Sequence, residues 1–463
     1  MKKNLLALTF LCGLGFSAHA QKWVLQNTTN PETPPQYFST QMHVVSDQVA
    51  WQLLQEGATG ATTNTFSKTS NGGTNWTFGS VNGAANYQAA GVHAIDGNTA
   101  YVAQFGGSGG GEVVKTTNGG NTWTKSTTAA QFPAAAGGFA NWVYFFDANN
   151  GVTLGDPTNG SFEIYTTSNA GATWTRVPAA NLPAPLDGGE YGLVGSYTAI
   201  GNTIWAGTTH LAGGDPNAPL PARILKSTDR GLTWTASPVI PALSGYISKV
   251  AMTDANNGIA VNGLTIVATT NGGSTWTPVT YTGNYNRFDV TNVPGTNILV
   301  SVGPSVAGTV TSATQYGSSY STNNGATWID IDRGVYRSSV DFSSRTAGYA
   351  GAQTDDNGAG GVYKASATIL GVSRNSELQQ ALSVYPNPSS NGVFQLQLQS
   401  GIKAGTSVRV FDALGRQVLN QQLNATAIAS QVASVDLSKE KAGLYTLELR
   451  TENGVAQQKL VIE

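Results

Sequence analysis

The chain repeats one short pattern six times, and this repetition limits its possible folds more than any other feature. Each copy has Asn or Asp, Gly two positions later and Trp three positions after that glycine, as in KTTNGGNTWT at residues 115–124. The copies contain Asn71 and Trp76, Asn118 and Trp123, Asn169 and Trp174, Asp229 and Trp234, Asn271 and Trp276, and Asn323 and Trp328. The tryptophans follow one another at intervals of 42 to 60 residues, a period typical of repeated supersecondary units.

The residue types in the pattern have the chemistry of a tight turn followed by a buried strand. An Asn or Asp side chain accepts backbone N–H bonds within a turn, and glycine takes positive φ without the steric cost of a Cβ atom. Burial of an indole ring removes roughly 150–250 Å² from water, worth on the order of 4–6 kcal/mol before entropy is counted. We therefore expect each copy to be a hairpin turn whose Trp packs between sheets.

A second periodic feature lies between the copies of the turn pattern. Seven segments have the pattern of strand, Asn/Asp/Gly turn and strand: residues 44–52, 92–104, 144–155, 197–207, 250–263, 289–303 and 340–352. Each repeat is therefore predicted to be a four-stranded antiparallel sheet of strands a to d, with an inner a-b hairpin and an outer c-d hairpin. To complete the seventh sheet, we expect residues 361–364 to pair with residues 22–25, with Trp23 in place of the seventh Trp. That pairing would close the ring without an open edge.

The repeated S/T-x-D/N-G-G-x-T-W sequence resembles the Asp-box, or BNR, repeat of sialidases, sortilin-type receptors and the Ycf48-like photosystem assembly factors. The residues of the repeat are most similar to those of the Ycf48-like group, and the resemblance covers residues 22–368. It implies an all-β fold with a seven-bladed β-propeller. It implies no particular activity, because the family includes enzymes, receptors and assembly factors.

The first twenty residues have the pattern of a secretory signal peptide. Lys2 and Lys3 precede an apolar stretch at residues 5–16 that is too short to span a bilayer, and residues 18–20 form an A-x-A cleavage site. The mature chain is therefore predicted to begin at Gln21. Because the single cysteine, Cys12, lies in this segment, the mature protein is expected to have neither disulfides nor thiolate metal ligands.

The repeat ends before the last ninety or so residues, which have alternating apolar strands typical of a small Ig-like β-sandwich. We predict a propeller at 21–370, a linker at 371–380 and the sandwich at 381–463. The sandwich contains YPNP at 385–388, VRVFDALGR at 408–416, GLY at 443–445 and KLVI at 459–462. This order resembles the type A sorting domain of the type IX secretion system of Bacteroidetes. The resemblance implies the secretion machinery as a partner, and a protein that is secreted or attached to the outer surface. An ordinary carbohydrate-binding or Ig-like module is the alternative.

The composition excludes several other functions. Charged residues make up 11% of the chain and the net charge is −2, so we expect no binding to nucleic acid or to an anionic membrane. No later segment is apolar for long enough to span a membrane. The four histidines lack metal-ligand spacing, and the glycine run at 106–111 lacks the lysine of a phosphate loop. No metal and no cofactor are expected.

In a propeller with this strand order, the a-b and c-d turns share one face, and the b-c and d-a loops share the other. We call these the box face and the loop face. The loop face has the irregular segments, where binding residues usually lie. Candidates near the starts of the inner strands are Tyr87, Trp142, Tyr191, Tyr246, Lys249, Arg287, Tyr336 and Arg337. The aromatic residues either pack between blades or form a rim that stacks on sugars or peptide side chains.

Two enzyme hypotheses remain beside a non-catalytic binding or scaffolding role for glycan or protein. Sialidase activity is disfavoured because no arginine lies between Gln21 and Arg176, where the first substrate-binding arginine of that family would fall. A glycoside hydrolase would use a pair of loop-face carboxylates, with Glu190, Asp187 and Asp156 as the candidates. That hypothesis requires an open pair roughly 5–10 Å apart, and it fails if these carboxylates are buried as internal caps.

Overall fold

The computed structural model describes residues 22–26, 28, 36–57, 62–84, 86–186, 189–354, 360–366, 382–398, 406–412, 416–451 and 454–463. The predicted signal peptide and linker lie outside these ranges. Apart from short 3-10 turns, the described elements are strands β1 to β37 and one helix, α1 (Ala425–Ser430). The fold is all-β, as predicted.

The first three blades follow one another along the chain, each with its strands in the order a-b-c-d. Blade 1 consists of β2 (Tyr37–Val44), β3 (Ala50–Glu56), β4 (Thr62–Thr69) and β5 (Thr77–Ser80). Blade 2 consists of β6 (Tyr87–Ala94), β7 (Ala100–Gly106), β8 (Gly111–Thr116) and β9 (Thr124–Lys125). Blade 3 consists of β10 (Ala140–Phe145), β11 (Gly151–Thr158), β12 (Ser161–Thr167) and β13 (Thr175–Arg176).

Blades 4 and 6 each have one extra short strand. Blade 4 consists of β14 (Glu190–Ile200), β15 (Thr203–His210), β16 (Ile224–Ser227) and β17 (Thr235–Ala236), with β18 (Gly245–Tyr246) beside β15. Blade 5 consists of β19 (Lys249–Met252), β20 (Gly258–Asn262), β21 (Thr265–Thr269) and β22 (Thr277–Pro278). Blade 6 consists of β24 (Asp289–Asn292), β25 (Leu299–Pro304), β26 (Tyr316–Ser321) and β27 (Thr327–Arg333), with β23 (Thr282–Gly283) parallel to β27.

Blade 7 joins the two ends of the propeller. It consists of β28 (Ser339–Ser344), β29 (Ala347–Thr354), β30 (Gly360–Ala365) and β1 (Trp23–Leu25). Strand β1 is antiparallel to β30, with Trp23 opposite Ala365 and Leu25 opposite Tyr363. The seven a strands contact one another in sequence around the ring, and β28 contacts β2. This closed arrangement confirms the predicted seven-bladed ring and its closure by Trp23.

The repeated pattern folds into the same hydrogen-bonded turn in all six copies. In blade 2, the Thr116 hydroxyl donates to Asn118 Oδ1 at 3.1 Å and accepts the Gly120 N–H at 2.9 Å. Asn118 Oδ1 also accepts the Thr122 N–H at 3.0 Å, and Gly120 has φ +87°. The other five copies make the corresponding contacts around Asn71, Asn169, Asp229, Asn271 and Asn323. The Asn or Asp side chain is therefore occupied in holding its own turn.

The tryptophan of each copy packs against the preceding blade. Trp123 of blade 2 meets Trp51 and Phe66 of blade 1 edge-on, at ring distances of 6.3 and 5.7 Å. Trp76 of blade 1 meets Tyr349 of blade 7 at 5.8 Å. Trp23 lies in the cluster that contains Val300 and Val302 of blade 6. These tryptophans therefore pack between adjacent sheets, as expected from the sequence.

The C-terminal region is a two-sheet sandwich. One sheet has the order β31 (Ser383–Tyr385), β32 (Val393–Gln397), β35 (Val432–Asp436). The other has the order β34 (Gln417–Gln422), β33 (Ser407–Phe411), β36 (Gly443–Thr451), β37 (Gly454–Ile462). Phe394 and Leu396 of the first sheet and Val408, Val410 and Leu447 of the second are fully buried in a shared core.

The YPNP segment is fixed to the last strand of the sandwich. The Asn387 amide donates to the Lys459 carbonyl at 2.6 Å, and its Oδ1 accepts the Val461 N–H at 2.9 Å. The Ser389 N–H donates to the Val461 carbonyl at 2.8 Å. The motif therefore joins the first and last parts of the sandwich.

Candidate functional site

Glu190, the leading carboxylate for catalysis, is used inside the fold. Its carboxylate accepts two parallel hydrogen bonds from Arg223, Nε to Oε1 at 2.9 Å and Nη2 to Oε2 at 2.8 Å. The Leu186 N–H donates to the same carboxylate at 2.9 Å, and Glu190 is only 1% exposed. A buried carboxylate held by a bidentate guanidinium is a structural ion pair and offers no free acid to a substrate.

Asp156 is also an internal cap. Its Oδ1 accepts the Asn141 side-chain N–H at 2.8 Å and the Gly192 backbone N–H at 3.1 Å, which ties blade 3 to blade 4. Burial raises the pKa of Asp156 to about 6, while the two hydrogen bonds oppose that rise. Asp187, the third candidate, lies outside the described residues. Glu190 and Asp156 therefore do not form the open pair that a hydrolase requires.

Two of the predicted loop-face residues are buried, which contradicts their place on an accessible surface. Trp142 is 0% exposed, and its ring lies 4.8 Å from the ring of Tyr197 in blade 4. Arg337 is 1% exposed, binds Asp332 through both terminal nitrogens at 2.9 and 2.7 Å, and lies over the ring of Tyr363. Trp142 is the third residue of β10 and Arg337 lies two residues before β28, and both side chains pack between blades.

Other candidates do reach the loop face. Tyr87, Tyr191 and Tyr336 are partly exposed, and Tyr246 is 44% exposed. Tyr336 belongs to an aromatic cluster with Phe288 and Tyr316, at ring distances of 5.8 and 5.2 Å. Arg287 lies over Phe288 and is held by the Val306 and Gly308 carbonyls. We call Phe288, Tyr316 and Tyr336 the aromatic cluster.

A cavity of about 260 Å³ opens where the central channel meets the loop face. We call it the mouth basin. Its lining residues come from blades 1, 2, 4 and 5: Thr40, Gln41, Leu53, Leu54, Gln55, Thr63, Ala89, Ala90, Phe105, Val194, Gly195 and Lys249. Among the described residues of the lining there is no carboxylate, and Lys249 is the one charged side chain. The mouth basin is therefore mainly an apolar and amide-lined site.

A bulge in β14 forms the floor of the mouth basin. The register between β14 and β15 shifts between Gly192 and Tyr197, so residues 193–196 leave the regular ladder. Gly195 has φ +67°, and a Cβ atom there would lie 3.4 Å from Gln41 Nε2 and 3.8 Å from Lys249 Nζ. Gln41, Gly195 and Lys249 border both the mouth basin and a second cavity below it. Only the glycines of this segment could have indicated the bulge before the structure was known.

The second cavity, also about 260 Å³, extends through the channel toward the box face. We call it the channel cavity. Lys249 Nζ lies 3.2 Å from Asp289 Oδ1, and Asp289 Oδ2 accepts the Val340 N–H at 3.0 Å. Asp341 Oδ2 accepts the Val44 N–H at 2.7 Å. Each aspartate therefore joins its own inner strand to the next blade of the ring.

Burial shifts the pKa values of Asp341, His43 and His93. Burial raises the pKa of Asp341 to about 7 and lowers the pKa of His43 to about 4. Burial, and then the neighbouring His43, hold the pKa of His93 well below its usual range. His43 Nδ1 accepts the Ala94 N–H at 3.2 Å, and the two imidazoles lie 4.2 Å apart. Both histidines are therefore neutral at pH 7.

Among the described residues, no three His, Asp or Glu side chains come together as metal ligands would. In the same ranges, no helix combines the length and apolar character needed to cross a bilayer.

The C-terminal sandwich is the part of the chain that matches a known family model. Residues 383–463 match the secretion system C-terminal sorting domain. This match indicates export by the type IX system to the outer surface or the extracellular space. No curated protein matches the sequence.

The chain is also similar to several solved propellers. YCF48 from Cyanidioschyzon merolae is 16% identical over 74% of this chain and 99% of its own, with a TM-score of 0.49. YCF48 bound to D1 peptide is 14% identical over 75% and 96%, with a TM-score of 0.48. Trypanosoma rangeli sialidase in complex with sialic acid is 11% identical over 94% and 86%, with a TM-score of 0.42. The seven-bladed fold of this chain is established separately, by its own strand pairing.

Proposed function

We propose that this exported propeller is a non-catalytic binding module that holds a glycan or protein ligand on its loop face. The observation that carries the proposal is the mouth basin, an opening of about 260 Å³ whose described lining residues are mainly apolar or amide-bearing and include no carboxylate. Ligand sites are typically concave and mostly apolar, with a few polar groups that fix orientation. The mouth basin has this character.

Exposed apolar side chains near the mouth basin could contribute binding energy through contact with a ligand. Val194 on the β14 bulge is 38% exposed, and Phe288 of the aromatic cluster is 39% exposed. An exposed aliphatic side chain at the basin and exposed aromatic rings on the same face suit an apolar side chain or the flat face of a sugar. A rigid ring of seven sheets presents these side chains without a large ordering cost on binding.

The internal hydrogen bonds of Glu190 and Asp156 support a non-catalytic role. A glycoside hydrolase needs two carboxylates that reach one substrate bond, one of them free to exchange a proton. Glu190 is neutralised by Arg223, and Asp156 is engaged by Asn141 and Gly192. Neither carboxylate is among the residues that line the mouth basin.

The proposal is tested with the full-length secreted protein on a glycan array and on immobilised surface proteins of the producing cell, together with a hydrolysis assay on a polysaccharide panel. Val194→Asp places a charge at the mouth basin, so we expect it to weaken binding at least tenfold. Val239→Asp is the matched control, because Val239 is 41% exposed in a loop of the same face and does not line the basin.

Three results would overturn the proposal: the absence of any ligand in both screens, binding that survives Val194→Asp unchanged, or catalytic turnover of a polysaccharide. Turnover that disappears in Glu190→Gln while the fold remains intact would favour the hydrolase hypothesis instead.

A further inference from the structure

The channel cavity has an unbalanced charge. Its lining contains three charged side chains, namely Asp289, Asp341 and Lys249, and Lys249 forms its ion pair with Asp289 at 3.2 Å. His43, which also lines the cavity, is neutral at pH 7 because burial lowers its pKa to about 4. With both aspartates ionised, the cavity carries one excess negative charge.

That excess charge is centred on Asp341. The donors that reach its carboxylate among the described residues are neutral: the Val44 N–H at 2.7 Å, the Thr291 hydroxyl at 3.4 Å and the Phe342 N–H. Burial raises the pKa of Asp341 to about 7, against the lowering influence of the Val44 and Phe342 N–H groups and, more weakly, of Lys249. A cation in the cavity would supply the missing compensation.

The cavity wall also has aromatic rings. Tyr144 and Tyr197 line the cavity, with ring centres 5.9 Å apart. Burial, and to a smaller extent the negative charge of Asp341, raises the pKa of both tyrosines. Aromatic faces attract organic cations by a cation–π interaction worth about 0.5–2 kcal/mol, and the strength increases with desolvation.

We propose that the channel cavity binds an alkylammonium group between the Asp341 carboxylate and the rings of Tyr144 and Tyr197. A free amine or the side chain of a lysine in another protein would present the same chemistry. An organic cation fits better than a metal ion, because the cavity brings together aromatic rings and only two carboxylates, and His43 Nδ1 is occupied by the Ala94 N–H. This site adjoins the mouth basin across the β14 bulge, and the two cavities share Gln41, Gly195 and Lys249 in their linings.

The test is titration of the full-length protein with n-butylammonium chloride, followed by calorimetry and by NMR shifts of the tyrosine rings. Asp341→Asn removes the excess charge, and we expect it to weaken binding at least tenfold. Lys249→Met removes the competing cation from Asp289, and we expect it to strengthen binding several-fold. Because a misfolded protein would not bind more tightly, this gain separates a specific effect from general damage.

Two matched variants control for charge alone. Asp147→Asn removes an exposed carboxylate from an a-b turn on the box face, and Lys125→Met removes a lysine paired with Glu112 at 2.9 Å. Both should leave the affinity unchanged. If Lys249→Met does not fold, Lys249→Gln replaces it, with the same expected gain.

The proposal is overturned if n-butylammonium does not bind at millimolar concentration, if Asp341→Asn binds it as well as the parent protein, or if neither Lys249 variant binds it more tightly. The affinity for a short peptide with one lysine is then compared with the affinity for n-butylammonium. This comparison distinguishes a protein lysine from a free amine as the natural ligand. Tighter binding of the peptide assigns the site to a protein lysine, and equal binding assigns it to a free amine. Val194→Asp should not affect either result, so failure of this proposal is distinguishable from failure of the loop-face function.

Discussion

The indole N–H of Trp23 donates a hydrogen bond to the hydroxyl of Ser318 at 2.9 Å, although the two residues are 295 positions apart in the chain. Ser318 belongs to blade 6, and its own hydroxyl donates to Asp332 at 2.5 Å. Asp332 in turn binds Arg337, whose guanidinium lies over the rings of Trp23 and Tyr363. The strand that closes blade 7 is therefore held by polar contacts to blade 6 as well as by its own ladder with β30.

We expect Trp23→Ala to lower the free energy of unfolding by about 3–5 kcal/mol, because it removes a buried ring and leaves a cavity next to Arg337. Urea unfolding followed by intrinsic fluorescence measures this change. The neighbouring Val24, 43% exposed on the same strand, is the control, and Val24→Ala should cost less than 1 kcal/mol. Equal losses in the two variants would contradict a special role for Trp23 in ring closure.

Asn118 allows a test of the repeated turn. Asn118→Ala leaves the Thr122 N–H without its side-chain acceptor, so we expect a loss of about 1–2 kcal/mol. Asn118→Asp should be nearly neutral, because Asp229 makes the same contact to the Thr233 N–H at 2.9 Å in blade 4. Thermal unfolding of the two variants gives the comparison, and a loss with Asp as large as that with Ala would argue against the capping role.

Glu190 and Arg223 should behave as a structural pair. Breaking a buried ion pair from one side is expected to cost about 3–5 kcal/mol, since the remaining charge is left without a partner. Glu190→Gln and Arg223→Met should each be destabilising, and the double variant should lose less than the sum of the two. Additive losses in a double-mutant cycle would show that the two residues do not interact.

The channel predicts two opposing effects of pH on stability. The pKa of His43 is about 4 in the folded protein and 6.5 as a free side chain, so protonation favours unfolding as the pH falls from 6.5 toward 4. His93, whose pKa is lowered in the same direction, adds to this loss. Asp341 has the opposite sign, because its pKa rises from 3.8 to about 7 on folding and stability increases as the pH falls through that range. Asp156, with a pKa near 6, adds to the gain.

Asp341→Asn should therefore be destabilised more steeply than the parent protein between pH 7 and pH 4.5. The groups near Asp341 include Asp289, Lys249, Tyr144 and Tyr197, and none of them is substituted in this variant. Unfolding midpoints in urea across this pH range measure the difference. Parallel curves for the two proteins would show that Asp341 does not titrate in this window.

Removal of residues 383–463 should block export. The deleted segment is the sorting domain, and the last propeller strand ends at Ala365. We therefore expect the truncated protein to accumulate in the periplasm. Cell fractionation and immunoblotting measure its location. Asn387→Ala, which removes two contacts to the last strand, should reduce export in proportion to the loss of folded sandwich. Normal secretion of the truncated protein would contradict the export role.

The fold was largely predictable because its information is local and repeated. The residue types of the turn pattern predict the hydrogen bonds within each turn. The mismatch between seven inner hairpins and six outer turns identified Trp23 as the closing residue. The sandwich was predictable from short strand and turn segments in a fixed order. Features of this kind depend on residues that are neighbours in the sequence.

The site was less predictable because it depends on contacts between blades. Arg223 lies 33 positions after Glu190, and nothing near Glu190 in the sequence indicates that the carboxylate is neutralised. Trp142 lies within β10 and Arg337 just before β28, and each side chain packs on a ring from a distant part of the chain, Tyr197 and Tyr363 respectively. The channel cavity likewise forms only when inner strands from several blades meet around one axis.

The pairing of β1 with β30 also sets an order in time. The first described strand of the chain has no partner until the residues up to Ala365 have been made and delivered, so the ring cannot be completed early. The sorting sandwich begins only at Ser383, a short distance after the last propeller strand. The sorting domain therefore follows the last strand that blade 7 needs, so all four strands of that blade are present in the chain before the export address begins.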